Sequence, residues 1–132
     1  MMLKDKVKFG EKSSSAIVAV RDLDKAKAFY GGTLGLEQSG DIEEAVGFRT
    51  GDTTLIVYQS EDYAGTNKAN AVVWRVTDDF DAIAEELRGK GIAFEEYPEL
   101  GMKIEDGVHL QDGFKAVWFK DPDGNILHFN NM

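Results

Sequence analysis

Two histidines, His109 and His128, are the only imidazoles in the chain, and it contains no cysteine. Thiolate nucleophiles, disulfides and cysteine-held zinc are therefore out. A catalytic zinc ordinarily takes three protein ligands, and a non-haem iron takes two histidines and a carboxylate. Such a site would have to join His109 and His128 to a carboxylate such as Glu105 or Asp112. His128 sits in Ile126-Leu127-His128-Phe129-Asn130, on the strand face of Ile126 and Asn130. Two readings stay open for it. One is a histidine satisfied by a neighbour such as Asn130. The other is a group that orients a ligand or acts as a general base near neutral pH. His109 lies with Asp106 and Asp112 in a glycine-bearing stretch, read as a surface loop or as a flap over a bound ligand. No glycine-rich phosphate loop is present, and no Ser-His-Asp order follows from spacing.

His128 is placed by what precedes it. Asp121-Pro122-Asp123-Gly124-Asn125 joins two apolar runs. Proline presets φ, Asp121 can bond backbone two residues on, and Gly124 can close the turn with positive φ, so the spacing predicts a β-hairpin. Upstream, SAIVAVR at 15–21 reads as a strand. Asp22 follows as N-cap, Leu23, Ala26, Phe29 and Tyr30 recur at helical spacing, and Gly31-Gly32 stops the helix. Residues 46–49 and 54–59 form a second predicted hairpin through Gly51, and the polar stretch 60–70 is a linker. A strand at 71–76 and a helix with the stripe Phe80, Ile83, Ala84 and Leu87 come next, with Asp78-Asp79 supplying caps and Gly89 and Gly91 bracketing the helix end. Residues 92–95 read as extended. Residues 98–114 are too long for an ordinary connection, so they are a hairpin with weak strand signals or a mobile flap.

That order occurs twice. An offset of 56 places Ser15 on Ala71, Asp22 on Asp78 and Gly35 on Gly91, and an offset of 73 matches Gly51 with Gly124. The 132 residues are thus one domain of two βαβββ modules, 15–59 and 71–130. The fold class is α+β, with curved mixed sheets around a cleft and helices outside. On strand parity, Ser15, Ile17, Ala19, Leu55, Val57, Ala71, Val73 and His128 share the cleft face, tipped by Arg21, Gln59, Arg75 and Asn130. Val18, Val20, Ile56, Tyr58, Trp74 and Phe129 take the face under the helices. Trp118, Tyr58 and Tyr97 are aromatic candidates for the cleft wall, although strand aromatics more often serve packing. Arg21 and Arg75 suit clamping of an acidic group or simply solvated strand ends.

A net charge of −9 with scattered Lys and Arg repels nucleic acid and anionic lipid. No run approaches the roughly 18 apolar residues of a membrane span. Residues 1–6 lack the apolar core of a signal peptide and 1–12 read as a loose arm, so a cytoplasmic location is expected.

The paired modules, the segment Asp22-Leu23-Asp24-Lys25-Ala26-Lys27-Ala28-Phe29-Tyr30 with Leu34-Gly35-Leu36, and the turn at 121–125 resemble the vicinal-oxygen-chelate superfamily. Its members include glyoxalases, bleomycin-resistance proteins and extradiol dioxygenases. By position, the resemblance places the family's metal ligands at Ser15, Leu55, Ala71 and His128. Only His128 there is a good donor, so no cofactor is expected, and a divalent metal is the alternative. The resemblance implies a homodimer. The residues read above as facing the cleft or its rim give the expected contacts of a small-molecule ligand: His128, His109, Gln59, Arg75, Trp118 and Asn130. The expected function is metal-free binding of a small apolar or aromatic molecule, as in the bleomycin-resistance branch. The alternative is a lyase, isomerase or dioxygenase with a site rebuilt around His128 and His109.

Overall fold

The computed structural model describes residues 8–132. Most of the expected N-terminal arm lies outside them. Its described part is exposed and contains one 3₁₀ turn, Phe9–Glu11.

The first module runs β1 (Ile17–Val20), α1 (Leu23–Ala26, continuing to Thr33 as a π-helical segment), β2 (Glu37–Ile42), β3 (Ala45–Thr50) and β4 (Thr53–Gln59). The second runs β5 (Asn70–Arg75), α2 (Phe80–Gly89), β6 (Lys103–Glu105), β7 (Val108–Gln111), β8 (Phe114–Lys120) and β9 (Ile126–Asn130). The sheets are ordered β1-β4-β3-β2 and β5-β9-β8-β7-β6. In each, the module's first strand pairs in parallel with its last. The strand before a helix returns beside the strand that ends the module, which is the repeat made visible.

Asp22 caps α1 as expected, accepting from the N–H groups of Asp24 at 2.9 Å and Lys25 at 3.2 Å. Gly31-Gly32 do not stop that helix. It widens and passes through both glycines, with Leu34 N–H donating five residues back to Phe29 C=O at 2.8 Å. The stop is Gly35, at φ 75°. Two glycines weaken a helix, but burying Phe29 and Tyr30 from this turn offsets the loss. Asp79 precedes α2, yet its side chain makes no capping bond, so the expected cap is absent.

Strand β4 corrects the face assignment. Its parallel register sets Val57 against Val18 and Ile56 against Ile17. Leu55 and Val57 are therefore buried beneath the helices with Val18 and Val20, while Ile56 and Tyr58 turn to the open face with Ile17 and Ala19. Gln59 also leaves the cleft face, and its amide donates to Arg21 C=O at 3.1 Å. Residues 98–114 take the hairpin reading and not the flap, since β6 and β7 pair antiparallel within the stretch and continue the sheet. Asp106-Gly107 and Asp112-Gly113, all at positive φ, make the two tight turns. The extended reading at 92–95 reduces to a single bridge, Glu95 N–H to Trp118 C=O at 2.7 Å.

The turn at 121–125 ties the modules together. Asp121, buried, accepts at Oδ1 from the N–H groups of Asp123 and Asn125, each at 2.9 Å. At Oδ2 it accepts from the Asn125 amide at 2.8 Å and from the Tyr30 hydroxyl of the first module at 2.7 Å. Asn125 also donates to Ala19 C=O at 2.8 Å, and Arg21 pairs with Asp123 at 3.2 Å. Burial and then the Asp121 carboxylate hold the Tyr30 hydroxyl well above its ordinary pKa, so it stays protonated and donating.

Candidate functional site

The open face of the second sheet carries the site. Cross-strand register aligns Val73, His128 and Trp118 on β5, β9 and β8. Trp118 and His128 stack, with ring centroids 4.5 Å apart and planes 17° from parallel. Tyr97 stands perpendicular to Trp118 at 5.5 Å. His109 on β7 is perpendicular to it at 4.9 Å.

Both nitrogens of His128 are engaged. Nδ1 lies 3.0 Å from Val117 C=O, which can only accept, so Nδ1 carries the proton. Nε2 then accepts from the Asn130 amide at 3.1 Å, and that amide is oriented by Met132 N–H donating to its oxygen at 3.0 Å. Burial pushes the His128 pKa below its ordinary value against the opposing pull of the Val117 carbonyl, so the ring is neutral at pH 7.

His109 is fully buried, which removes it from any surface loop. Its Nε2 accepts from Tyr97 N–H at 2.9 Å and so fixes the segment that walls the site. The other nitrogen, Nδ1, is buried and has no hydrogen-bond partner among the described residues.

Three hollows that share lining residues lie along the open faces and together make a trough. The largest, about 710 Å³, runs over Trp118, Tyr97, Leu100 and Ile126 and is edged by Lys68, Lys120, Glu95 and Glu99. It shares Asn70 with a hollow of about 290 Å³ over Val73, His128 and Asn130. That one shares Ala71 with a third of about 240 Å³, which reaches Ile17, Ala19 and Tyr58 of the first module. The trough is of the size and mixed lining that small organic ligands use. Lys120 is paired with Glu95 at 3.6 Å. Of the sequence-predicted residues, His128, Trp118 and Asn130 come together in the trough, and His109 supports it from beneath. Arg75 is exposed at the strand end opposite Asn130, and Gln59 is elsewhere. Sequence reasoning gave Tyr97 only as a candidate wall and missed Leu100 and Lys120. Lys120 shares strand parity with Trp118 two residues earlier, a signal that was available.

A family model matches residues 12–129, that of the glyoxalase/bleomycin resistance protein/dioxygenase superfamily. The chain belongs to this superfamily. Solved structures agree on the fold. A putative glyoxalase family protein from Bacillus anthracis is 21% identical, with 94% of this chain and 97% of that one covered and a TM-score of 0.72. Lactoylglutathione lyase from Agrobacterium tumefaciens is 20% identical, with 93% and 95% covered and a TM-score of 0.70. A variant of the fosfomycin resistance protein from Listeria monocytogenes, solved with Mn(II) and a dihydroxypropylphosphonic acid, is 13% identical, with 92% and 90% covered and a TM-score of 0.68. A search of curated proteins finds no match.

The superfamily implies a divalent metal, and the donors of this chain do not fit one. The register moves the second family position from Leu55 to Ile56, because Ile56 pairs with Ile17 as His128 pairs with Val73. The set is then Ser15, Ile56, Ala71 and His128. Two of these lack a donor atom, and His128 has both nitrogens bonded within the protein. The set around His109 fails as well. Glu105 pairs with Lys103 at 2.9 Å, Asp112 sits in a turn, and among the described residues no three of His, Asp and Glu converge.

Proposed function

We propose that this protein binds a small, flat, largely apolar molecule in the trough, against Trp118 and Tyr97, without a metal. The observation that carries the reading is the Trp118–His128 stack, whose imidazole is held neutral with both nitrogens bonded inside the protein. A histidine so bonded stiffens an aromatic wall, and a stiff wall loses little entropy when a ring stacks on it. Lys68, Lys120, Glu95 and Glu99 balance in charge along the rim, which suits a neutral or zwitterionic molecule.

One observation favours a second reading, a lyase or isomerase. Among the described residues, the only partner of the His128 Nε2 lone pair is the Asn130 amide, which lines the same hollow. Rotation of that amide would leave a neutral base facing a ligand.

A homodimer belongs to the same proposal. Ile17 and Val73, equivalent under the repeat, are 61% and 60% exposed on the open faces of edge strands, where a second copy would cover them. Among the described residues, no helix is long and apolar enough to cross a membrane.

The test uses Trp74→Phe, which leaves Trp118 as the sole indole, titrated with two- and three-ring aromatic compounds. Saturable quenching is expected. Stoichiometric tight binding of Zn²⁺, Ni²⁺, Mn²⁺ or Fe²⁺ to metal-stripped protein, lost in His128→Ala, overturns the metal-free reading.

A further inference from the structure

The face under the helices holds a hollow of different chemistry. It occupies about 190 Å³ where the modules meet, walled by Leu34 and Leu36 after α1, Trp74 and Val76 at the end of β5, Ile83 on α2 and Phe129 on β9. Among the described residues, Glu86 is its only charged lining residue. An engineered apolar cavity of about 150 Å³ is enough to take benzene. This space therefore admits a single ring or a small fused pair. The lining is mostly apolar, with the Glu86 carboxylate and the Trp74 indole N–H as its polar side-chain groups, which suits an apolar ring with a polar edge. Trp74, Val76 and Ile83 are half-buried, which leaves the mouth accessible, while Phe129 is buried at the floor.

The rim adds direction. Beside the hollow, Lys90 donates to Thr33 C=O at 2.6 Å, with its ammonium 3.5 Å from Glu86. Glu86 stands at the mouth with its side chain 68% exposed, and its second carboxylate oxygen can accept from another donor there. We propose that this seam pocket is a second binding site, for a small uncharged aromatic of indole size with one N–H or O–H donor. The ring lies among Trp74, Ile83 and Phe129, and the donor is given to Glu86. The proposal stands independently of the trough, which occupies the other face of the sheets.

The experiment follows backbone amide shifts of the full chain during titration with indole and with indene, which lacks the N–H. Saturable shifts at Leu34, Leu36 and Ile83 are expected in the high-micromolar to millimolar range typical of a weakly held ring. Indole should bind several-fold more tightly than indene, and Glu86→Ala should erase the difference. Ile83→Trp fills the space and should abolish both titrations. If that variant does not fold, Leu36→Phe, at a half-buried position, serves the same purpose. Absence of saturable shifts at the seam, shifts confined to the Trp118–Asn130 trough, or equal affinity for indole and indene would each overturn the assignment.

Discussion

Removing one hydroxyl, in Tyr30→Phe, is expected to cost about 2 kcal/mol of stability. The bond lost is 2.7 Å long and ends on a carboxylate, with Tyr30 0% and Asp121 4% exposed. Hydrogen bonds to charged groups contribute about 1.5–3 kcal/mol. Phenylalanine keeps the ring contacts with Phe29 at 5.1 Å and Phe48 at 5.9 Å, so little packing is lost. Asp121 Oδ2 retains the Asn125 amide, which places the loss toward the lower part of that range. For a chain of this size that is a fall of roughly 5–10 °C in Tm. Urea melts with an unchanged m-value are the assay, with Arg21→Ala as comparison. Its ion pair has an arginine 52% exposed, so it should cost under about 1 kcal/mol. The alkaline limb gives a second check. Because the folded state holds the Tyr30 proton above the ordinary value of 10.0, the unfolded state binds fewer protons there, and native stability should fall as pH rises past 10. Tyr30→Phe should flatten that fall. A loss below about 0.5 kcal/mol, or equal losses for the two variants, would refute the claim that this contact holds the modules together.

The remaining predictions address pH, register and turns. His128 has a folded pKa below the usual 6.5, so below that pH the unfolded state binds more protons, and stability should drop until the folded pKa is reached. His128→Gln should reduce that slope in acid melts. Leu55→Asn, at a 1% exposed position, should cost 3 kcal/mol or more by about the usual penalty for a lost core side chain plus a buried amide, while Ile56→Asn should cost about 1. Equal effects would undo the register given for β4. Gly107→Ala should cost clearly more than Gly101→Ala by thermal melts. Both have φ near 80°, but an added Cβ at Gly107 meets Phe94 Cβ at 2.7 Å, and at Gly101 it meets nothing within 4 Å.

Much of the fold was legible because local chemistry and global pattern agreed. Asp22 caps, Gly124 closes its turn at φ 91°, and two copies of one order of signals imply two like modules. Strand β4 was not legible, because Leu55-Ile56-Val57-Tyr58 is apolar on both parities and its face is chosen by the parallel partner β1. The burial of His109 was missed for a different reason. Its two Asp-Gly turns were visible, but β7 is only four residues long, and a histidine in its middle masks the alternation. The placement of His128 followed from the turn and the resemblance. Its bonding to Val117 and Asn130 depends on neighbouring strands that no local window contains.

The turn at 121–125 also makes the duplicated halves unequal. Its counterpart between β3 and β4, around Gly51, is exposed, and a side chain at Gly51 would meet nothing within 4 Å. At the later turn the linker presses in as well, since a Cβ on Gly65 would lie only 2.0 Å from Asp123 C=O. The first hairpin can therefore accept added length at its tip, while the second cannot be lengthened without releasing Tyr30, Ala19 and Arg21 together. Of two turns with a common pattern, one is open to insertion and the other is closed to it.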